Sequence, residues 1–132
     1  MNITDTTPTE SNLSGLDRKD FQKNINSRKT DLYILKNAQG MEVAVTNYGC
    51  AILSIMVPDK NGKFANVILG HDSIEHVINS PEPFLSTTIG RYGNRIANGK
   101  FTLYGEEHQL TVNNGPNSLH GGPTGFHVRV WD

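Results

Sequence analysis

The sequence predicts an all-β fold, an antiparallel β-sandwich in preference to a closed barrel, and three observations carry that reading. Apolar and polar residues alternate with period two in several short runs. The runs are separated by Asn-Gly, Asp and Pro turn chemistry. Thirteen glycines and six prolines in 132 residues require many turns and therefore short strands.

Residues 1–15 are rich in Thr, Asn, Ser and Pro and poor in large apolar side chains. Such a stretch cannot offset its ordering entropy, so it is expected to be a flexible N-terminal tail. Residues 16–132 form the folded part. Within it, Leu16, Phe21 and Ile25 fit either a short helical turn or an irregular lead-in. Asp31 to Leu35 is a β-rich run, followed by the turn Asn37-Ala38-Gln39-Gly40. Met41, Val43 and Val45 then alternate with Glu42, Ala44 and Thr46, the pattern of a half-buried strand. Ile52, Ile55 and Val57 lead into the hairpin turn Pro58 to Gly62, with a return strand over 64–69. Asp72 is placed to cap a short helix bearing Ile74, Val77 and Ile78 on one face, ended by Pro81 and Pro83. A second hairpin is expected from 100–104 through Gly105 to 107–112, and a last strand over 126–131. The chain ends inside or just after a strand pattern, where a bare sheet edge would be exposed, so a C-terminal truncation is expected.

Composition excludes several classes of function. Twelve basic against thirteen acidic residues leave a net charge of −1, without the basic stripe of a nucleic-acid surface. No run approaches the ~18 apolar residues of a membrane span. The N-terminus lacks signal-peptide features, which makes the cytoplasm the default expectation. Cys50 stands alone in the apolar run Cys50-Ala51-Ile52-Leu53 and is expected to be an inert buried thiol. No HxH, HExxH or CxxC spacing marks a zinc site, no loop of EF-hand type marks calcium, and no GxSxG elbow marks a hydrolase.

Two clusters have the residue types of a binding site. Ile89 to Gly99 sets Arg91, Arg95, Asn94 and Asn98 among glycines. Guanidinium forks and amides suit the oxygens of a polyhydroxylated ligand, although structural pairing with carboxylates or carbonyls fits equally. Asn113 to Gly122 is a Gly- and Pro-bearing loop with His120 directly before a Gly pair, which lets backbone approach a ligand closely. A solvated surface turn is the alternative. His71, His108 and His127 rank lower, the last two as half-exposed strand residues.

Taken together, GRYGNRIANGKFTL at 90–103 and NNGPNSLHGG at 113–122 resemble the aldose 1-epimerase (galactose mutarotase) family. TNYG at 46–49, VPDKNG at 57–62, VILGHDS at 67–73 and GFHVRVWD at 125–132 add to the resemblance. It covers about residues 15 to 132 and corresponds to the N-terminal part of a longer galactose mutarotase-like sandwich. The resemblance implies an isomerase that interconverts the α and β anomers of hexoses such as glucose and galactose without an organic cofactor. It implies Asn94, Arg95 and His120 as substrate-binding residues, with His120 near the ring oxygen. The general-acid histidine and general-base glutamate of the family lie further downstream, so no catalytic residue is expected in this chain, which is expected to be inactive alone. Calcium is possible by family analogy but unmarked here. Other readings are a non-catalytic sugar-binding remnant or a mutarotase-like protein for a hexose phosphate. Cys50, Gly93 and Ser86 depart from the family pattern, where Gly, Ala and Gly are expected.

Overall fold

A computed structural model describes residues 11–132, together with the backbone of Thr4–Asp5. The tail expected over 1–15 thus lies largely outside the described residues. Its described end is tied to the sheet, because the amides of Leu13 and Ser14 donate to the two carboxylate oxygens of Glu42 at 2.8 and 3.0 Å.

In chain order the strands are β1 (Thr4–Asp5), β2 (Asn24–Ile25), β3 (Arg28–Lys29), β4 (Leu32–Lys36), β5 (Glu42–Thr46), β6 (Ala51–Pro58) and β7 (Phe64–Asn66). There follow the helix α1 (Ile74–Ile78), then β8 (Arg95–Ile96), β9 (Lys100–Leu103), β10 (Glu106–Gln109) and β11 (Ser118–Leu119). The fold is mostly β and antiparallel. One five-stranded sheet runs β1-β4-β5-β6-β7, and three two-stranded ribbons pair β2 with β3, β9 with β10, and β8 with β11.

Turn chemistry sets the registers. Asn37 Oδ1 accepts from the amides of Gln39 and Met41, closing the β4–β5 hairpin. Asp59 Oδ1 accepts from Asn61 and Lys63 and closes β6–β7. A bulge at Ala44/Val45 slips β5 against β6 by one residue, leaving Leu53 and Ser54 both buried. The core lies between one sheet face, carrying Leu32, Ala44 and Leu53, and the covering residues Phe21, Ile74 and Val77. Phe21 arrives on a 3₁₀ turn, Arg18–Phe21, whose first residues are capped by Asp17.

The strand alternation of β5 holds, but the buried face is Glu42, Ala44 and Thr46, while Val43 and Val45 are half-buried. Burying Glu42 is possible because its carboxylate accepts two amides and faces Lys36 Nζ at 3.4 Å. The opposite face aligns Tyr33, Val45 and Ile52 in one row and Leu35, Val43 and Ile55 in the next. Tyr33 and Ile52 on that face are exposed.

Four expectations need correction. The helix is capped by Ser73, whose Oγ accepts from His76 N–H, one residue later than Asp72; Asp72 instead pairs with the His76 ring. The return strand stops at Asn66 because Asn66 Oδ1 turns back to accept from Ile55 and Ile68 amides, leaving Val67 and Leu69 exposed. Residues 126–131 do not form a strand. Phe126–Val128 is a 3₁₀ turn, and beyond it only Val130 bridges back, to Tyr48. Cys50 is half-buried, not deep in the core, and burial pushes its thiol above the ordinary value. Cys50 and Ser86 both hold left-handed backbone (φ 44° and 55°), which explains why glycine is the residue expected at each.

Glu42→Ala leaves two part-buried amides and Lys36 without their acceptor. It should lower stability to denaturant by about 3 kcal/mol, and hydrogen exchange at the Leu13 and Ser14 amides should rise with it. Unchanged protection at those amides would show that the carboxylate does not hold this segment.

Candidate functional site

The two sequence clusters meet through the β8–β11 ribbon. Leu119 pairs with Arg95 and Ser118 with Ile96. One residue beyond the pairing, His120 N–H donates to Asn94 O at 3.1 Å. In return, Asn94 N–H donates to His120 Nδ1 at 2.9 Å. Both residues hold left-handed backbone, Asn94 at φ 66° and His120 at φ 53°, which turns each out of the ribbon. Since Nδ1 accepts a hydrogen bond, the neutral ring carries its proton on Nε2, and that N–H is presented as a donor.

Arg95 is held by two amides. Its Nε donates to Asn114 Oδ1 at 2.8 Å and its Nη1 to Asn94 Oδ1 at 3.2 Å. The rest of the fork projects from an exposed side chain. Asn113 secures the neighbouring loop, exchanging hydrogen bonds with Leu119 at 2.7 and 3.0 Å. The three residues expected to bind substrate, Asn94, Arg95 and His120, are therefore joined by direct hydrogen bonds or one shared partner.

The floor of the site is built by close backbone approach. Gly121 adopts φ +88°, and a Cβ there would lie 1.9 Å from Gly90 O. The same carbonyl accepts from Phe126 N–H at 3.2 Å, tying the 90–95 segment to the chain after the Gly pair. Arg91, Tyr92, Arg95, Gln109, Thr111 and Arg129 contribute side chains to a cavity of about 800 Å³ beside the ribbon. Arg91 and Arg95 both line this cavity, although β8 contains only Arg95.

His127 departs from its expectation as a half-exposed strand residue. It is 5% exposed on the 3₁₀ turn, and its Nδ1 has no hydrogen-bond partner among the described residues. The Phe84 ring lies 4.6 Å from the His127 ring and 4.8 Å from that of His120, joining the two imidazoles. Burial first, and then the like charge of His120, hold His127 below the ordinary imidazole value. Neither Phe84 nor His127 is marked by the sequence, since nothing in spacing or periodicity links positions 84, 120 and 127. Among the described residues no group of three His, Cys, Asp or Glu is placed to hold a metal, and no helix is long and apolar enough to cross a membrane.

Comparison with known proteins gives a consistent picture. The family model for aldose 1-epimerase matches residues 31–132. A galactose mutarotase from Bos taurus is 43% identical over 91 residues, 69% of this chain and 26% of that protein. An aldose 1-epimerase from Escherichia coli (strain K12) is 41% identical over 100 residues, 76% of this chain and 29% of that protein. The crystal structure of a GalM/aldose epimerase homologue from C. elegans superposes with a TM-score of 0.72 at 34% identity, covering 78% of this chain and 31% of that one. The chain thus spans about a quarter to a third of the length of the relatives it matches.

Two measurements probe this geometry. Gly121→Ala forces a Cβ into the Gly90 carbonyl and should separate the ribbon from residues 90–91, seen as lost amide protection at Phe126 and His120; retained protection would refute the close-approach argument. The lowered His127 value makes the folded state prefer the neutral ring. Its contribution to stability is complete above the ordinary value of 6.5 and is lost as pH falls through the lowered one. His127→Phe should therefore flatten the loss of stability below pH 6.5, read from thermal melts across pH.

Proposed function

This chain belongs to the aldose 1-epimerase family, and we propose that it forms the sugar-positioning part of a site that interconverts hexose anomers. The observation that carries the reading is the reciprocal Asn94–His120 pair of hydrogen bonds, which with the Arg95–Asn94 bond links Arg95 to His120 through Asn94. Arg95 donates to sugar hydroxyls, Asn94 and Asn114 orient it, and His120 donates toward the ring oxygen.

Anomer exchange requires removal of the C1 hydroxyl proton and delivery of a proton to the ring oxygen. The C1–ring oxygen bond then breaks, the C1–C2 bond rotates, and the opposite face recloses. His120 polarises the ring oxygen as negative charge develops there, a role for a positioned N–H donor. No proton-transferring acid or base is assigned among the described residues. His127 has its Nδ1 buried and Glu106 and Glu107 lie on the β9–β10 ribbon, so none of them takes over those roles.

The purified chain should leave the anomerisation rate of α-glucose or α-galactose in polarimetry at the buffer value. Glucose should nevertheless shift the NMR signals of His120 and of the Arg95 guanidinium, with Arg95→Ala weakening the response by about tenfold or more. A rate above buffer that His120→Ala abolishes would place a complete acid–base pair in this chain. No response at either residue would remove the sugar-binding reading.

A further inference from the structure

Among the described residues, the hydrogen bond from Asn94 N–H to Nδ1 is the one that holds the His120 ring. The torsion that turns an imidazole about its Cβ–Cγ bond is broad. A hydrogen bond also tolerates tens of degrees of tilt before it weakens. The Nε2–H swings with the ring over that range. A donor that must meet one ring oxygen therefore needs a second restraint.

Phe84 supplies one. Its ring meets that of His120 edge-on, with 4.8 Å between centroids and 61° between planes. The same Phe84 ring packs on His127 at 4.6 Å and 57°. Both Phe84 and His127 are fixed to the five-stranded sheet. In the bend that carries Phe84, the Ser86 carbonyl accepts from Ile52 N–H of β6 at 2.9 Å, and Ser86 Oγ donates to Leu69 O at 2.8 Å. His127 is buried, and its carbonyl comes so close to Gly49 that a Cβ there would lie 2.4 Å away. His120, by contrast, stands at the end of a ribbon with two residues per strand. The sheet thus reaches the His120 ring through a pair of anchored aromatic rings.

We propose that Phe84 is a positioning residue: its ring, supported by His127, sets the plane of the His120 imidazole and so the aim of the Nε2–H donor. The assignment rests on the reading of His120 as a sugar-binding residue and adds what orients it.

The test is NMR on the full chain, with and without glucose. In the unmodified chain, nuclear Overhauser contacts should join the Phe84 ring protons to those of His120 and His127, and their absence would overturn the proposal. Phe84→Leu keeps apolar bulk and loses the flat ring. It should lower the order parameter of the His120 ring while the amides of the sheet stay protected. Glucose binding should weaken about five- to tenfold, the loss of one hydrogen bond. At saturation the Arg95 guanidinium should still shift, and the His120 Nε2 signal should not. Phe84→Tyr keeps the ring and should behave as the unmodified chain. An unchanged order parameter in Phe84→Leu would overturn the proposal, as would a saturated response lost equally at Arg95 and His120. Where Phe84→Leu fails to fold, His127→Leu removes the supporting ring instead; the His120 order parameter should again fall, and an unchanged one overturns the proposal. Glucose that moves neither Arg95 nor His120 in the unmodified chain would remove the sugar-positioning reading. The His120 order parameter, measured without sugar, would still decide the part played by Phe84.

Discussion

Two left-handed residues that hydrogen-bond each other, Asn94 and His120, form the constraint on which the candidate site depends. Each occupies backbone space that side chains seldom adopt. The strain is offset because each satisfies the other, one amide bonding a carbonyl and the other a ring nitrogen. That mutual satisfaction fixes the tautomer of His120, aims its remaining N–H outward and brings Asn94 Oδ1 to Arg95. A ribbon of two residues per strand would be marginal by itself. Here it is reinforced by Asn113 on one side and by the Gly90–Gly121 approach on the other.

The five-stranded sheet supplies the rigid support for this ribbon. Tyr48, buried beside the end of β5, bridges to Val130, and Gly49 N–H donates to Arg129 O at 2.7 Å. These contacts carry the last turn of the chain, with His127 and Phe126, back against the sheet. Phe84 then packs between His120 and His127, so the sheet and the site share one set of aromatic contacts. The same sheet offers a second apolar face, with Tyr33 and Ile52 exposed on it. A face of this kind is what a two-layer β architecture covers with its other layer.

Family membership and site geometry give the residues a division of labour. Arg95 and His120 present donors, Asn94 and Asn114 fix the arginine, and glycines 90 and 121 let two backbone segments meet. The family relation rests on residues 31–132, which include all of these positions. The charge pattern of the cavity, by contrast, comes from how Arg91 and Arg129 gather on Phe126.

Much of the sheet was legible in the order of residues. Period-two runs, the Asn37 and Asp59 turns and the Tyr104-Gly105 reversal are local signals, and local hydrogen bonds realise each of them. The motifs around Asn94-Arg95 and His120 were legible too, as chemistry suited to sugar oxygens within a family pattern. The sequence could not reveal which face of β5 is buried, because the burial of Glu42 depends on amides 28 and 29 residues away. Nor could it show that alternation over 126–131 belongs to a 3₁₀ turn, since the Gly90 carbonyl that captures Phe126 comes from another segment. Strand periods and turns are thus properties of neighbours in the chain, and the sequence determined them. Convergence of Arg91, Arg129, Phe84 and His127 on the site depends on long-range backbone approach, and only the tertiary structure decided it.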